Sequence, residues 1–128
     1  MDNLIIEGTN DRPSINLNYE TGLIYMGGSS LPENVLEVYN PVIEWIEKYT
    51  TAPKPVTKVE FFFDYLNTAS SHMIMRIFQK IIDLKFKCED LTINWFYPSG
   101  DLDMRNFGQE LSEVINYPVH FMARHLNS

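Results

Sequence analysis

Val56-Thr57-Lys58-Val59-Glu60-Phe61-Phe62-Phe63-Asp64-Tyr65-Leu66 runs directly into Asn67-Thr68-Ala69-Ser70-Ser71-His72. The first stretch alternates: Val59, Phe61, Phe63 and Tyr65 share one face of an extended chain, with Glu60, Phe62 and Asp64 on the other. Phe62 among the polar positions predicts cover on both faces, and hence a central strand. Asn67 and Thr68 are two successive N-cap residues, so a helix should begin there. It should run to about Phe86. Met73, Ile74, Ile77, Phe78, Ile81 and Leu84 form one apolar stripe on a helical wheel, opposite His72, Arg76, Gln79, Lys80 and Asp83. Such a helix packs on a sheet by one face. Beyond it, Asp90 to Tyr97 alternates Leu91, Ile93, Trp95 and Tyr97 against Thr92, Asn94 and Phe96, so strand, helix and strand make a βαβ unit.

The flanks extend this unit. Leu4 to Ile6 is a short apolar run, and Ser14 to Tyr19 alternates Ile15, Leu17 and Tyr19 with Asn16, Asn18 and Glu20. After Thr21-Gly22 the pattern resumes at Leu23 to Met26, which predicts a hairpin over residues 14 to 27, ended by Gly27 and Gly28. Ser30-Leu31-Pro32-Glu33 has the form of a capping box, so a helix should start there and continue to about Tyr49, kinked or restarted at Pro41. Thr50 to Pro55 holds two prolines and reads as a loop. Pro98-Ser99-Gly100 is a turn, Leu102 to Ile115 a helix that tolerates Gly108, and Val119 to Arg124 a final strand or short helix. These elements give an α/β (or α+β) fold: one mixed β-sheet with helices packed on it, in a single domain spanning residues 1–128.

Composition narrows the function. The chain of 128 residues has 17 acidic against 10 basic side chains, a net charge of −7, which argues against nucleic acid or an anionic membrane as partner. Eight Phe and seven Tyr are too much aromatic surface for a disordered chain. Cys88 is the single cysteine, so no internal disulfide can form. Met1 to Thr9 has no basic, long-apolar leader pattern, and no apolar run approaches the roughly 18 residues of a membrane span, so a cytoplasmic protein is expected. The charge is unevenly placed. Residues 1–64 carry −6 and residues 89–128 carry −4, whereas residues 65–88, with Arg76, Lys80, Lys85 and Lys87 against Asp83, carry +3.

That basic segment opens at the strand-to-helix junction, where free backbone amides and the helix dipole stabilise an anion. Thr68 presents a hydroxyl in that field, and His72 and Arg76 follow one and two turns further along the same side. A phosphoryl group on Thr68 would meet these groups, although Asn67 and Thr68 serve equally well as plain N-caps. Ser71 and His72 are adjacent on a helix and cannot face each other, and no Gly-x-Ser-x-Gly elbow is present, so a nucleophile and base pair is not indicated. Asp101-Leu102-Asp103 lacks the Gly and the final Glu of a calcium loop and reads as solvated or capping acids. Cys88, His120 and His125 lack zinc-ligand spacing. The residues call for no metal and no cofactor.

Phe61 to Ser71, with its aromatic strand and Asn-Thr segment, resembles the SiaC family of bacterial regulatory phosphoproteins. Trp95-Phe96-Tyr97, Asp101-Leu102-Asp103-Met104 and Gly108-Gln109-Glu110-Leu111 are similar to further family motifs, and the resemblance spans nearly the whole chain. It implies a STAS-like fold and a non-enzymatic role in partner switching, with Thr68 as the phosphoacceptor. It also implies three partners: a Ser/Thr kinase of the histidine-kinase-like ATPase type, a PP2C-type phosphatase, and a GGDEF diguanylate cyclase. The unphosphorylated form would activate the cyclase, raising cyclic di-GMP and promoting biofilm growth or aggregation. Ala69 stands where Ser is common in the family, and Pro98-Ser99-Gly100 replaces part of a more acidic stretch; both bear on the choice of output partner. The expected contact surface comprises Asn67, Thr68, Ser70, Ser71, His72 and Arg76. The alternative is a small α/β ligand-binding or enzymatic domain that holds an anionic ligand at the same helix N-terminus.

Overall fold

In the structure, a computed structural model describing residues 1–126, the aromatic stretch is the fourth of six strands in one sheet. In chain order the strands are β1 (Leu4–Ile6), β2 (Ser14–Asn18), β3 (Leu23–Ser30), β4 (Val56–Leu66), β5 (Asp90–Pro98) and β6 (His120–Arg124). The helices are α1 (Val35–Thr51), α2 (Thr68–Ile81) and α3 (Leu102–Ile115), with a 3-10 segment over Ile82–Phe86. Spatial order equals chain order. β1, β2 and β3 pair antiparallel, and β3 to β6 pair parallel, so each parallel connection carries one helix. The mixed sheet expected from the sequence is therefore present.

The three helices lie on one face, α1 against α2 and α2 against α3. Ile15, Leu17, Ile24, Met26, Val59, Phe61, Phe63, Ile93 and Trp95 of the sheet point at them and are buried. Trp95 is at the centre: its ring packs on Phe61, Phe63, Phe78 and Phe107, with centroids 5.4 to 6.3 Å away. Its indole N–H donates to the Met104 carbonyl at 3.0 Å, so the one polar atom of the ring is bonded inside the core. Among the described residues, no helix covers the opposite face. Phe62 is shielded there by Phe96, whose ring centroid is 6.3 Å from its own, and by Arg124, whose guanidinium stands 5.2 Å from the Phe62 ring and 3.7 Å from Phe96. β4 is central as expected, but neighbouring side chains rather than a second helical layer half-bury Phe62.

Four boundaries differ from expectation for identifiable reasons. β3 passes through Gly27 and Gly28 instead of ending there. A Cβ on Gly27 would come within 2.4 Å of the Tyr25 hydroxyl, and Gly28 adopts φ +86°, where the β3–β4 register shifts between Gly28 and Ser29. The bulge carries Ser30 into the sheet, where it is buried. The capping box consequently does not form, and α1 starts at Val35 with Asn34 as N-cap, its side chain accepting from the Glu37 N–H. Pro41 does not divide α1, which runs unbroken to Thr51; Pro41 lies on the exposed side, so water can reach the carbonyl left unpaired by its missing N–H. α2 ends at Ile81, and its continuation to Phe86 tightens into 3-10 geometry that buries Leu84. The final segment is a strand, β6.

Candidate functional site

Because β3, β4 and β5 are parallel and each leads into a helix, all three helices start at the carboxyl edge of the sheet. Crevices in open α/β sheets lie at this edge. The N-caps Asn34, Asn67 and Asp101 are grouped there by topology, each side chain accepting a first-turn amide. Asn67 is the cap of α2: its Oδ1 accepts from the Ser70 N–H at 2.8 Å and its carbonyl from the Ser71 N–H at 2.9 Å. Its own N–H donates to the Ser30 carbonyl at 3.0 Å, which ties the helix start to the end of β3.

Thr68 is thus the first helical residue rather than a cap. It is exposed, and its hydroxyl makes no hydrogen bond among the described residues. His72 and Arg76 are also exposed, one and two turns on, and the Arg76 guanidinium lies 3.8 Å from the Met73 sulfur. Ser71 is half-buried and lines a cleft. Ser70 is different. It is fully buried, and its Oγ is 2.8 Å from the Ser30 Oγ, so it faces the interior and not a partner. The sequence did hold that signal: Ser70 precedes Met73, Ile74 and Ile77 by three, four and seven residues, which puts it on the apolar stripe.

The cleft, of about 420 Å³, is lined by Asp64, Tyr65, Leu66, Ser71, Asp101, Asp103, Met104 and Phe107. Asp64 accepts from the Ser29 hydroxyl at 2.8 Å, and Asp101 is the N-cap of α3, accepting from the Met104 N–H at 3.0 Å. Three carboxylates therefore line a cleft that Ser71, in the first turn of α2, also lines. The charge count over residues 65–88 did not reveal them, because Asp64 lies one residue before that window and Asp101 and Asp103, at the start of α3, lie more than a dozen residues after it. Exposed apolar side chains stand at the same edge: Leu31 (41% exposed) follows β3, Leu36 (48%) is in the first turn of α1, Tyr65 (51%) is the last residue but one of β4 and Leu102 (63%) opens α3. Large apolar groups left in water around a crevice are characteristic of contact surfaces. Among the described residues, no group of three or more His, Cys, Asp or Glu side chains is arranged to hold a metal ion, and no helix is long and apolar enough to cross a membrane.

One sheet layer, one helical layer and an exposed hydroxyl at a strand-to-helix junction define a STAS-like regulatory domain. The family model for SiaC family regulatory phosphoproteins matches residues 6–124, and the chain belongs to that family. Its role is regulatory, not catalytic. An uncharacterised protein of Pseudomonas aeruginosa strain UCBPP-PA14 is 26% identical over 123 residues, covering 96% of this chain and 98% of that one. The crystal structure of apo-SiaC from Pseudomonas aeruginosa superposes with a TM-score of 0.85 at 26% identity, over 96% of this chain and 100% of that one. A crystal structure of the diguanylate cyclase SiaD in complex with its activator SiaC, also from Pseudomonas aeruginosa, contains a similar chain: TM-score 0.86, 26% identity, 94% of this chain and 99% of that one.

Proposed function

We propose that this protein is a partner-switching regulator whose output is a diguanylate cyclase and whose switch is reversible phosphorylation of Thr68. The observation that carries the reading is the exposed Thr68 hydroxyl, free of intramolecular bonds among the described residues, at an edge ringed by exposed apolar side chains. A similar chain is bound to a diguanylate cyclase as its activator, which makes an enzyme of that class the natural output partner. The kinase belongs to the histidine-kinase-like ATPase type and the phosphatase to the PP2C type. No chemistry is required of this chain beyond presenting the hydroxyl.

The electrostatics favour a switch. A phosphoryl group adds about −1.5 to −2 charge, next to a cleft already bordered by Asp64, Asp101 and Asp103. Some stabilisation comes from the α2 amides and dipole, but a partner covering this edge would have to desolvate the new dianion. The unmodified surface, with Leu31, Leu36, Tyr65 and Leu102 available, binds; the modified one does not. Asn67, Ser71, His72 and Arg76 border the contact, and Ser70 supports it from below.

The test is calorimetric titration of the host's diguanylate cyclase with wild type, Thr68→Ala and Thr68→Glu. Wild type and Thr68→Ala should bind alike, Thr68→Glu at least tenfold more weakly, and Thr68→Ala should gain no phosphoryl mass in the host. Equal binding by wild type and Thr68→Glu would sink the switch.

A further inference from the structure

Ser30 and Ser70 are two of only three buried polar residues among the described residues, and they meet beneath Thr68. Ser30 Oγ is 2.6 Å from the Tyr39 hydroxyl and 2.8 Å from Ser70 Oγ, so one hydroxyl chain joins β3, α1 and the first turn of α2. The Ser30 carbonyl also accepts the Asn67 N–H. Ser30 therefore holds the α2 start by two bonds, one to the residue before Thr68 and one to the residue two after it. Such a chain is a poor way to stabilise a core. Each hydroxyl loses its water on burial, and apolar groups of the same shape fill such a space at comparable stability. Its distinguishing property is directionality, since hydrogen bonds fix distance and angle where apolar contacts slide.

We propose that Ser30, Tyr39 and Ser70 are positioning residues that hold the Thr68 turn in the geometry its kinase reads. The proposal rests on Thr68 being the phosphoacceptor. Ser70 and Asn67 bracket Thr68 and both are fastened to Ser30, so the Thr68 backbone cannot rotate without breaking one of these bonds. Tyr39 fixes the rotamer of the Ser30 hydroxyl from α1. Burial pushes the Tyr39 hydroxyl up to about 12, so the chain remains made of neutral O–H groups throughout the physiological range.

Tyr49 supplies a matched control. It is equally buried, its hydroxyl bonds Thr57 at 2.8 Å and accepts the Lys54 N–H at 3.2 Å, and it sits at the far end of α1, at the amino edge of the sheet. Tyr39→Phe and Tyr49→Phe each delete one buried tyrosyl oxygen and keep the ring. The full-length variants are compared by amide hydrogen exchange and by phosphorylation with the host's kinase and ATP. Tyr39→Phe should speed exchange of the Ser70 and Ser71 amides about tenfold and lower kcat for Thr68 phosphorylation at least fivefold with KM unchanged. Tyr49→Phe should change neither, although its denaturation midpoint falls comparably. Equal kcat values for Tyr39→Phe and wild type, or equal losses in both variants, would overturn the positioning role while leaving Thr68 as the acceptor. Absence of phosphoryl transfer to wild-type Thr68 would instead remove the acceptor reading, and the positioning role with it.

Discussion

At the scale of single residues, the packing of Trp95 decides which glycine is indispensable. A Cβ on Gly108 would lie 2.5 Å from the five-membered part of the Trp95 indole, which is fully buried and held by its bond to the Met104 carbonyl. The ring cannot swing aside, so the methyl must displace α3 from the sheet. Overpacking of this kind costs about 1–3 kcal/mol, against a gain of about 0.5–1 kcal/mol from replacing a mid-helix glycine. Gly108→Ala should therefore destabilise by about 1–2 kcal/mol in urea titration. Trp95→Phe removes the indole atoms that clash, so in the double variant the two losses should sum to less than their separate values. Strict additivity would show that the Trp95 contact is not what makes glycine necessary.

At the scale of elements, the three helix starts carry unequal caps, and their strengths can be ranked. Asn67 Oδ1 accepts from the Ser70 N–H at 2.8 Å, whereas Asn34 Oδ1, at an exposed helix start, accepts from the Glu37 N–H at 3.3 Å. Removing an N-cap costs about 1 kcal/mol. Asn67→Ala should reach that value, and Asn34→Ala should cost less than half of it, each read from the urea midpoint at constant m. Equal costs would mean that cap geometry does not set helix stability here. The same elements show what a linear pattern can and cannot reveal. Alternation in β4 and β5 and the apolar stripe of α2 depend only on neighbours within a strand or a few turns, so those elements were legible, as was Leu102–Ile115 for α3. The capping box failed because its Ser30 is claimed by Tyr39 and Ser70, partners 9 and 40 residues away. Gly27 and Gly28 looked like a strand end, since the Tyr25 hydroxyl lying over Gly27 is visible only in three dimensions. The exposed positions of Thr68, His72 and Arg76 along α2 were legible from helical spacing. The acidic cleft was not, because Asp64, near the end of β4, and Asp103, in the first turn of α3, meet only through the tertiary fold.

At the scale of the whole molecule, two buried tyrosines, Tyr39 and Tyr49, and two half-buried ones, Tyr25 and Tyr117, make stability sensitive to base. Burial raises the Tyr25, Tyr39, Tyr49 and Tyr117 hydroxyls above their usual value of 10.0, Tyr39 to about 12. The native state therefore keeps these protons where the unfolded chain has lost them. With fewer protons bound in the unfolded state, stability falls as pH rises. The contribution of Tyr39 is complete below pH 10 and is lost between 10 and about 12, up to roughly 3 kcal/mol for a shift of that size. Tyr39→Phe has no proton to lose, so its urea midpoint should decline more gently from pH 9.5 to 11.5 than that of the wild type. The two curves should converge as pH rises, because Tyr39→Phe leaves the buried Ser30 hydroxyl short of a partner at every pH, whereas the wild type loses stability only as Tyr39 must ionise. Parallel curves over that range would show that Tyr39 is not a group whose titration opens the fold. Thr68→Glu, at an exposed position whose hydroxyl takes no part in the Tyr39–Ser30–Ser70 chain, should leave the slope unchanged.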